Sequence, residues 1–180
     1  MLAPGTHRLG PASGSLRVRT YRDGVAARVG HDLVLEVTAW EGTVAVAGTR
    51  TTIALTADPR SLVVREALHG VKPLSDRERA GIGRTIERKV LRGRPIAFRA
   101  TVVRPGDGGR RLVVEGELEL AGRTRPLTLA LDVAPDGRVT GAVTLAQTEW
   151  GIEPYRGLLG ALRLRDDVDV EIDVHVPVAA

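Results

Sequence analysis

The chain contains no cysteine, a single methionine and, in 180 residues, only two tryptophans, two tyrosines and one phenylalanine. Without thiols there is no disulfide, no thiolate metal site and no cysteine nucleophile. The scarcity of aromatics argues against a nucleic-acid-binding barrel, which stacks bases on such rings. No apolar run approaches membrane-spanning length. Residues 1–14 hold Pro4, Gly5, Gly10 and Pro11 and no apolar core segment. They are read as an irregular N-terminal stretch without a secretory signal, and a cytoplasmic location is expected.

Reaction motifs are missing too. There is no G-x-S-x-G elbow, no phosphate-cradling glycine loop and no dinucleotide fingerprint, so no enzyme is expected. His7, His31, His69 and His175 are scattered, without the convergent spacing that a metal site needs. His31 and Asp32 are adjacent, but neighbours on a strand point to opposite faces, so a structural turn is the better reading. Asp166, Asp167 and Asp169 lack the spacing of a calcium loop and read as a solvated turn ahead of the last strand.

What is present is strand alternation. It recurs over 16–21, 33–46, 51–57, 96–104, 111–120, 127–133, 139–146 and 168–176, about eight strands, with Gly42 a point at which the second run bends or splits. The clearest stretch is 116–133: Leu118, Leu120, Leu127, Leu129, Leu131 and Val133 share one face, while Glu117, Glu119, Thr128 and Asp132 share the other. It reads as a hairpin of a half-buried antiparallel sheet. Residues 105–109 and 134–137 carry turn chemistry, which joins neighbouring strands antiparallel.

Residues 74–91 break the pattern. Ser75 caps a helix with Glu78 three residues on, and Ile82, Ile86 and Val90 recur at four-residue steps. Its other face carries Arg77, Arg79, Arg84, Arg88 and Lys89, and Gly93 with Pro95 stops it. Residues 151–162 read as a lid or a connecting crossover, with a loop that plugs one barrel end as the favoured alternative. The expectation is one domain over 1–180, an all-β antiparallel barrel of about eight strands with one amphipathic helix between strands four and five. Closing such a barrel removes exposed edges and leaves room for packed side chains or one small ligand.

The order of segments resembles the YceI-like family, lipocalin-like barrels described as polyisoprenoid-binding. Arg94-Pro-Ile-Ala-Phe98 is similar to the family's proline-to-phenylalanine strand entry, and the stretch from Val114 to Leu129 to its signature hairpin. Trp40-Glu-Gly42 is similar to an early aromatic-x-glycine bend and Thr148-Glu-Trp-Gly-Ile152 to a late aspartate-phenylalanine-glycine element. The chain departs from the pattern at 64–69, where the family carries arginine-aspartate-x-histidine-leucine, and at Gln147, where it often has arginine. The resemblance implies a non-enzymatic binder of a long apolar molecule, an isoprenoid, isoprenoid quinone or fatty-acyl lipid, with no cofactor required.

Strand parity places Val37, Leu55, Phe98, Val114, Leu118, Leu129, Val143 and Ile172 inward, with Trp150 near one mouth and Tyr155 with Arg156 at a polar headgroup. A barrel packed solid that serves as a stress-associated protein-interaction module is the alternative. The balance of 26 basic against 22 acidic residues gives a net charge of +4. It makes an anionic membrane surface a partner through Arg77, Arg84, Arg88 and Arg92 on or beside the helix, and nucleic acid a weaker one. A homodimer is compatible with the sequence.

Overall fold

The structure is a computed structural model that describes residues 2–106 and 110–179. The expected turn at 105–109 therefore lies largely outside the described residues. The strands are β1 (Gly5–Leu9), β2 (Gly14–Asp23), β3 (Asp32–Val37), β4 (Trp40–Ala47), β5 (Arg50–Ala57), β6 (Leu62–Leu68), β7 (Ile96–Pro105), β8 (Arg111–Leu120), β9 (Arg123–Val133), β10 (Arg138–Ala146), β11 (Arg156–Gly157) and β12 (Leu162–His175). The helix α1 (Asp76–Thr85) and a π-helical turn (Ile86–Val90) lie between β6 and β7.

All pairings are antiparallel in one sheet of order β1-β4-β5-β7-β8-β9-β10-β12-β2-β3-β6, with β11 on β12. The two ends of this path are halves of the same bent segments. β1 and β2 are joined through 10–13, β3 and β4 through 38–39, and β5 and β6 through 58–61. At the shared corner Thr38 N–H donates to Ser61 C=O (2.9 Å) and Asp58 N–H to Ala39 C=O (3.0 Å). These links satisfy backbone groups where the ladder breaks, and the sheet curls around one continuous apolar core.

Among the described residues the strands number twelve, not about eight. Three long segments each break at a corner, β1 forms within the stretch read as irregular, and β6 and β11 are additional strands. Gly42 is not the bend: it lies in unbroken register between Leu9 and Leu55, and the turn falls at Thr38–Ala39. β12 begins six residues before the expected 168, so the acidic group sits inside the strand at a register shift between Leu164 and Val168. Residues 151–162 run as extended chain, β11 and a 3₁₀ turn at Leu158–Gly160 before β12 begins.

The helix follows its sequence signals. Ser75 Oγ accepts from Glu78 N–H (3.3 Å), and Ser75 N–H donates back to Glu78 Oε2 (2.8 Å), so both orphan donors of the capping box are paired. Gly93 takes a left-handed φ of 64° where the helical turn ends. Arg79 is not on the solvent face. It donates to the carbonyls of Val64 (3.3 Å) and Arg65 (3.1 Å), pinning α1 to β6. Among the described residues no helix is long and apolar enough to cross a membrane.

Candidate functional site

Inside the curled sheet is a cavity of about 890 Å³ with a predominantly apolar wall. Each wall follows from strand parity. Leu16, Val18 and Thr20 project inward from β2, Leu33, Leu35 and Val37 from β3, and Val168, Val170 and Ile172 from β12. One further side is helical: Leu74, Ile82, Ile86 and Val90 form the apolar stripe of the helical segment and face the same space.

Of the residues expected to face inward, Val37, Leu55, Phe98, Leu118, Leu129, Val143, Tyr155 and Ile172 line this cavity. Val114 is fully buried in the core and off the cavity wall, and Trp150, 2% exposed, is off it too. Trp150 is not a mouth residue because its indole Nε1–H donates to Leu118 C=O (3.1 Å), which holds the ring inside the core. Arg156 is exposed on β11 and does not touch the cavity.

Sequence reasoning missed the β2 wall and the helical wall. β2 alternates as Leu16-Arg-Val-Arg-Thr20, a signal that was available, whereas the helix stripe reads equally well as packing against strands. Thr20 is the one polar side chain in the β2 row. Its Oγ1 is buried with no partner among the described residues.

The mouth is marked by wall residues that also reach solvent: Val29, Val71 and Tyr155 are 46%, 74% and 49% exposed. The His31 ring stands there, its Nε2–H donating to Lys72 C=O (2.8 Å). Glu78 also lines the mouth, its carboxyl held below the usual carboxylate range chiefly by the Ser75 hydroxyl and backbone N–H and less by Lys72. Asp32 pairs with His69, not His31: His69 Nδ1–H donates to Asp32 Oδ2 (2.8 Å), and Asp32 Oδ1 accepts from Arg22 N–H (2.8 Å).

Asp166 and Asp169 of β12 are hydrogen-bonded on the outer wall. Thr148 N–H and Oγ1–H donate to Asp166 (2.8 and 2.5 Å), and Tyr21 and Thr144 hydroxyls to Asp169 (2.5 and 2.6 Å). Among the described residues no group of three or more His, Asp or Glu side chains is placed to hold a metal ion.

An antiparallel sheet curled around an apolar cavity, open at one rim and backed by the helix α1, is an all-β half-barrel consistent with the lipocalin-like fold. Residues 89–176, which span β7 to β12, match the model of the YceI-like domain, so the resemblance read from Arg94–Phe98, Val114–Leu129 and Thr148–Ile152 is borne out there. The other wall, β1 to β6 with α1, lies outside that match. The fold is similar to that of BcnA from Burkholderia cenocepacia, with a TM-score of 0.62 at 13% identity over 88% of this chain and 94% of that one. It is also similar to the Campylobacter jejuni YceI protein, with a TM-score of 0.55 at 10% identity over 78% of this chain and 82% of that one. No curated protein matches the sequence.

Proposed function

We propose that the protein is a non-enzymatic carrier that takes a long apolar molecule of isoprenoid, isoprenoid-quinone or fatty-acyl type into its cavity. The cavity carries this reading. Protein interiors normally leave few voids larger than a water molecule, whereas this one keeps about 890 Å³ behind a predominantly apolar wall. That volume falls in the range of small-molecule sites. The driving force is burial of apolar surface, at roughly 25 cal/mol per Å² removed from water. The family described as polyisoprenoid-binding supplies the ligand class. A barrel packed solid for protein interaction fits this interior poorly.

The test is native mass spectrometry with organic extraction of protein purified gently from its own host. A stoichiometric isoprenoid or acyl lipid is expected. Ligand-free protein that also ignores added isoprenoids would overturn the reading in favour of an interaction module.

A further inference from the structure

Among the described residues, the large apolar side chains left exposed are Val25, Val29, Leu68, Val71, Val102, Tyr155 and Leu159. All but Val102 lie on three segments that meet at the mouth, 23–31, 68–72 and 153–164. Val29, Val71 and Tyr155 are on the cavity wall. Val25 sits in the turn bonded to the third segment, where Ala26 N–H donates to Ala161 C=O (3.0 Å). Leu68 ends β6 opposite Asp32, beside His31. Leu159 is in the turn that leads to Leu162, itself on the wall and against Gly30.

Leu159 is the sharpest feature. It is 109% exposed and holds a left-handed φ of 56°, a conformation that costs a non-glycine residue of the order of 1 kcal/mol or more. With the side chain fully exposed, no burial of it offsets that cost. The collar is also basic, with Arg28, Lys72, Arg156 and Arg163 against Asp23 and Glu153 in the same segments and Glu78 of α1, which pairs with Lys72 (4.0 Å). Arg156 and Arg163 stand directly opposite each other on β11 and β12, and Asp23 faces Arg163 from β2. Neither arginine makes an ion pair among the described residues. Like charges in cross-strand register repel unless an anion lies between them.

We infer that the mouth itself is a docking face for an anionic phospholipid bilayer, with Leu159, Val25 and Val71 entering the acyl boundary and Arg156 and Arg163 meeting phosphate headgroups. Aliphatic tips beside cations are what an interfacial surface needs. The collar is continuous with the cavity, so docking joins the lumen to the hydrocarbon without an aqueous gap. The inference stands on the rim, not on the occupancy of the lumen, and it moves the membrane contact from the outer face of α1 to the mouth.

The test is co-sedimentation of the full chain with phosphatidylcholine vesicles, with and without phosphatidylglycerol. Binding is expected only with phosphatidylglycerol. Leu159→Asn, which suits a left-handed φ, combined with Val71→Ser should weaken it roughly tenfold, and so should Arg156→Glu with Arg163→Glu. Leu159→Asn alone should leave thermal stability unchanged or raised while vesicle binding falls, a split that a purely structural role would not produce. Native protein that ignores the vesicles, rim variants that bind as the native chain does, or loss through Arg84→Glu with Arg88→Glu instead would each overturn the inference. Uptake of a fluorescent isoprenoid from detergent, measured in parallel, separates this from the carrier reading: a chain that docks but takes up nothing loses only the latter.

Discussion

Thr20 and Gly116 show how single side chains on this sheet trade stability against space. Thr20 Oγ1 is buried without a partner among the described residues, and an unpaired buried hydroxyl costs of the order of 1–3 kcal/mol. Thr20→Val keeps the β-branched shape and removes that cost. Denaturant titration should show a gain of about 1 kcal/mol; a loss would mean that the hydroxyl has a hydrogen-bond partner in solution. Gly116 is the opposite case. A Cβ there would lie 2.5 Å from Arg99 C=O and 2.6 Å from the Phe98 ring, backbone and packed core that cannot give way. Gly116→Ala should cost about 1–3 kcal/mol by overpacking, and an unchanged unfolding midpoint would show that β7 and β8 part easily. Glycine at that point was plain in the sequence, but its reason is tertiary.

At the scale of elements, the hairpin β8–β9 was the most legible part because its period and its turn agree. Ala121 and Gly122 both have positive φ, 52° and 80°, as a two-residue loop of the primed type demands. Alanine is strained there. Ala121→Asn should raise stability by about 0.5–1 kcal/mol, read by thermal unfolding, and a fall would mean that the Ala121 methyl packs productively on the core. The bent segments were less legible. The corner at Thr38–Ala39 has no glycine or proline, and its geometry comes from the pairing of Thr38 with Ser61, far off in sequence. The start of β12 was hidden by Asp166 and Asp167, which cut the short alternation Leu162-Arg-Leu-Arg165 off from the run that begins at Val168. On the outer face of that strand Asp169 is held below the usual carboxylate range by the Thr144 and Tyr21 hydroxyls, and Asp173 by the Arg138 guanidinium. Carboxyls depressed in the folded state stabilise it above their unfolded pKa, near 3.9, and that contribution is lost as pH falls through the folded value. Stability should therefore decline below about pH 4, and Asp169→Asn should flatten that decline; an identical acid limb would assign it to other groups.

Across the whole molecule, parity told which face of each strand is apolar, but it could not tell whether opposed faces touch. Val114 and Leu118 share one face of β8, yet only Leu118 reaches the cavity. The difference is set by the curl of the sheet, which is fixed by corners and bulges such as the one between Ala100 and Val102 in β7. An open lumen has a thermodynamic signature. A ligand that binds only the folded chain at about one hundred times its Kd adds about 2.7 kcal/mol, worth roughly 5–11 °C in Tm for a domain of this size. Addition of an isoprenoid quinone should produce such a shift. Leu129→Arg should abolish it by placing an unpaired charge on the wall, although the same charge destabilises the fold. Val143→Phe is the cleaner variant, because it fills the lumen with apolar volume. It should preserve the ligand-free Tm while removing most of the ligand-induced shift, whereas a shift equal to that of the native chain would place the bound molecule outside the cavity.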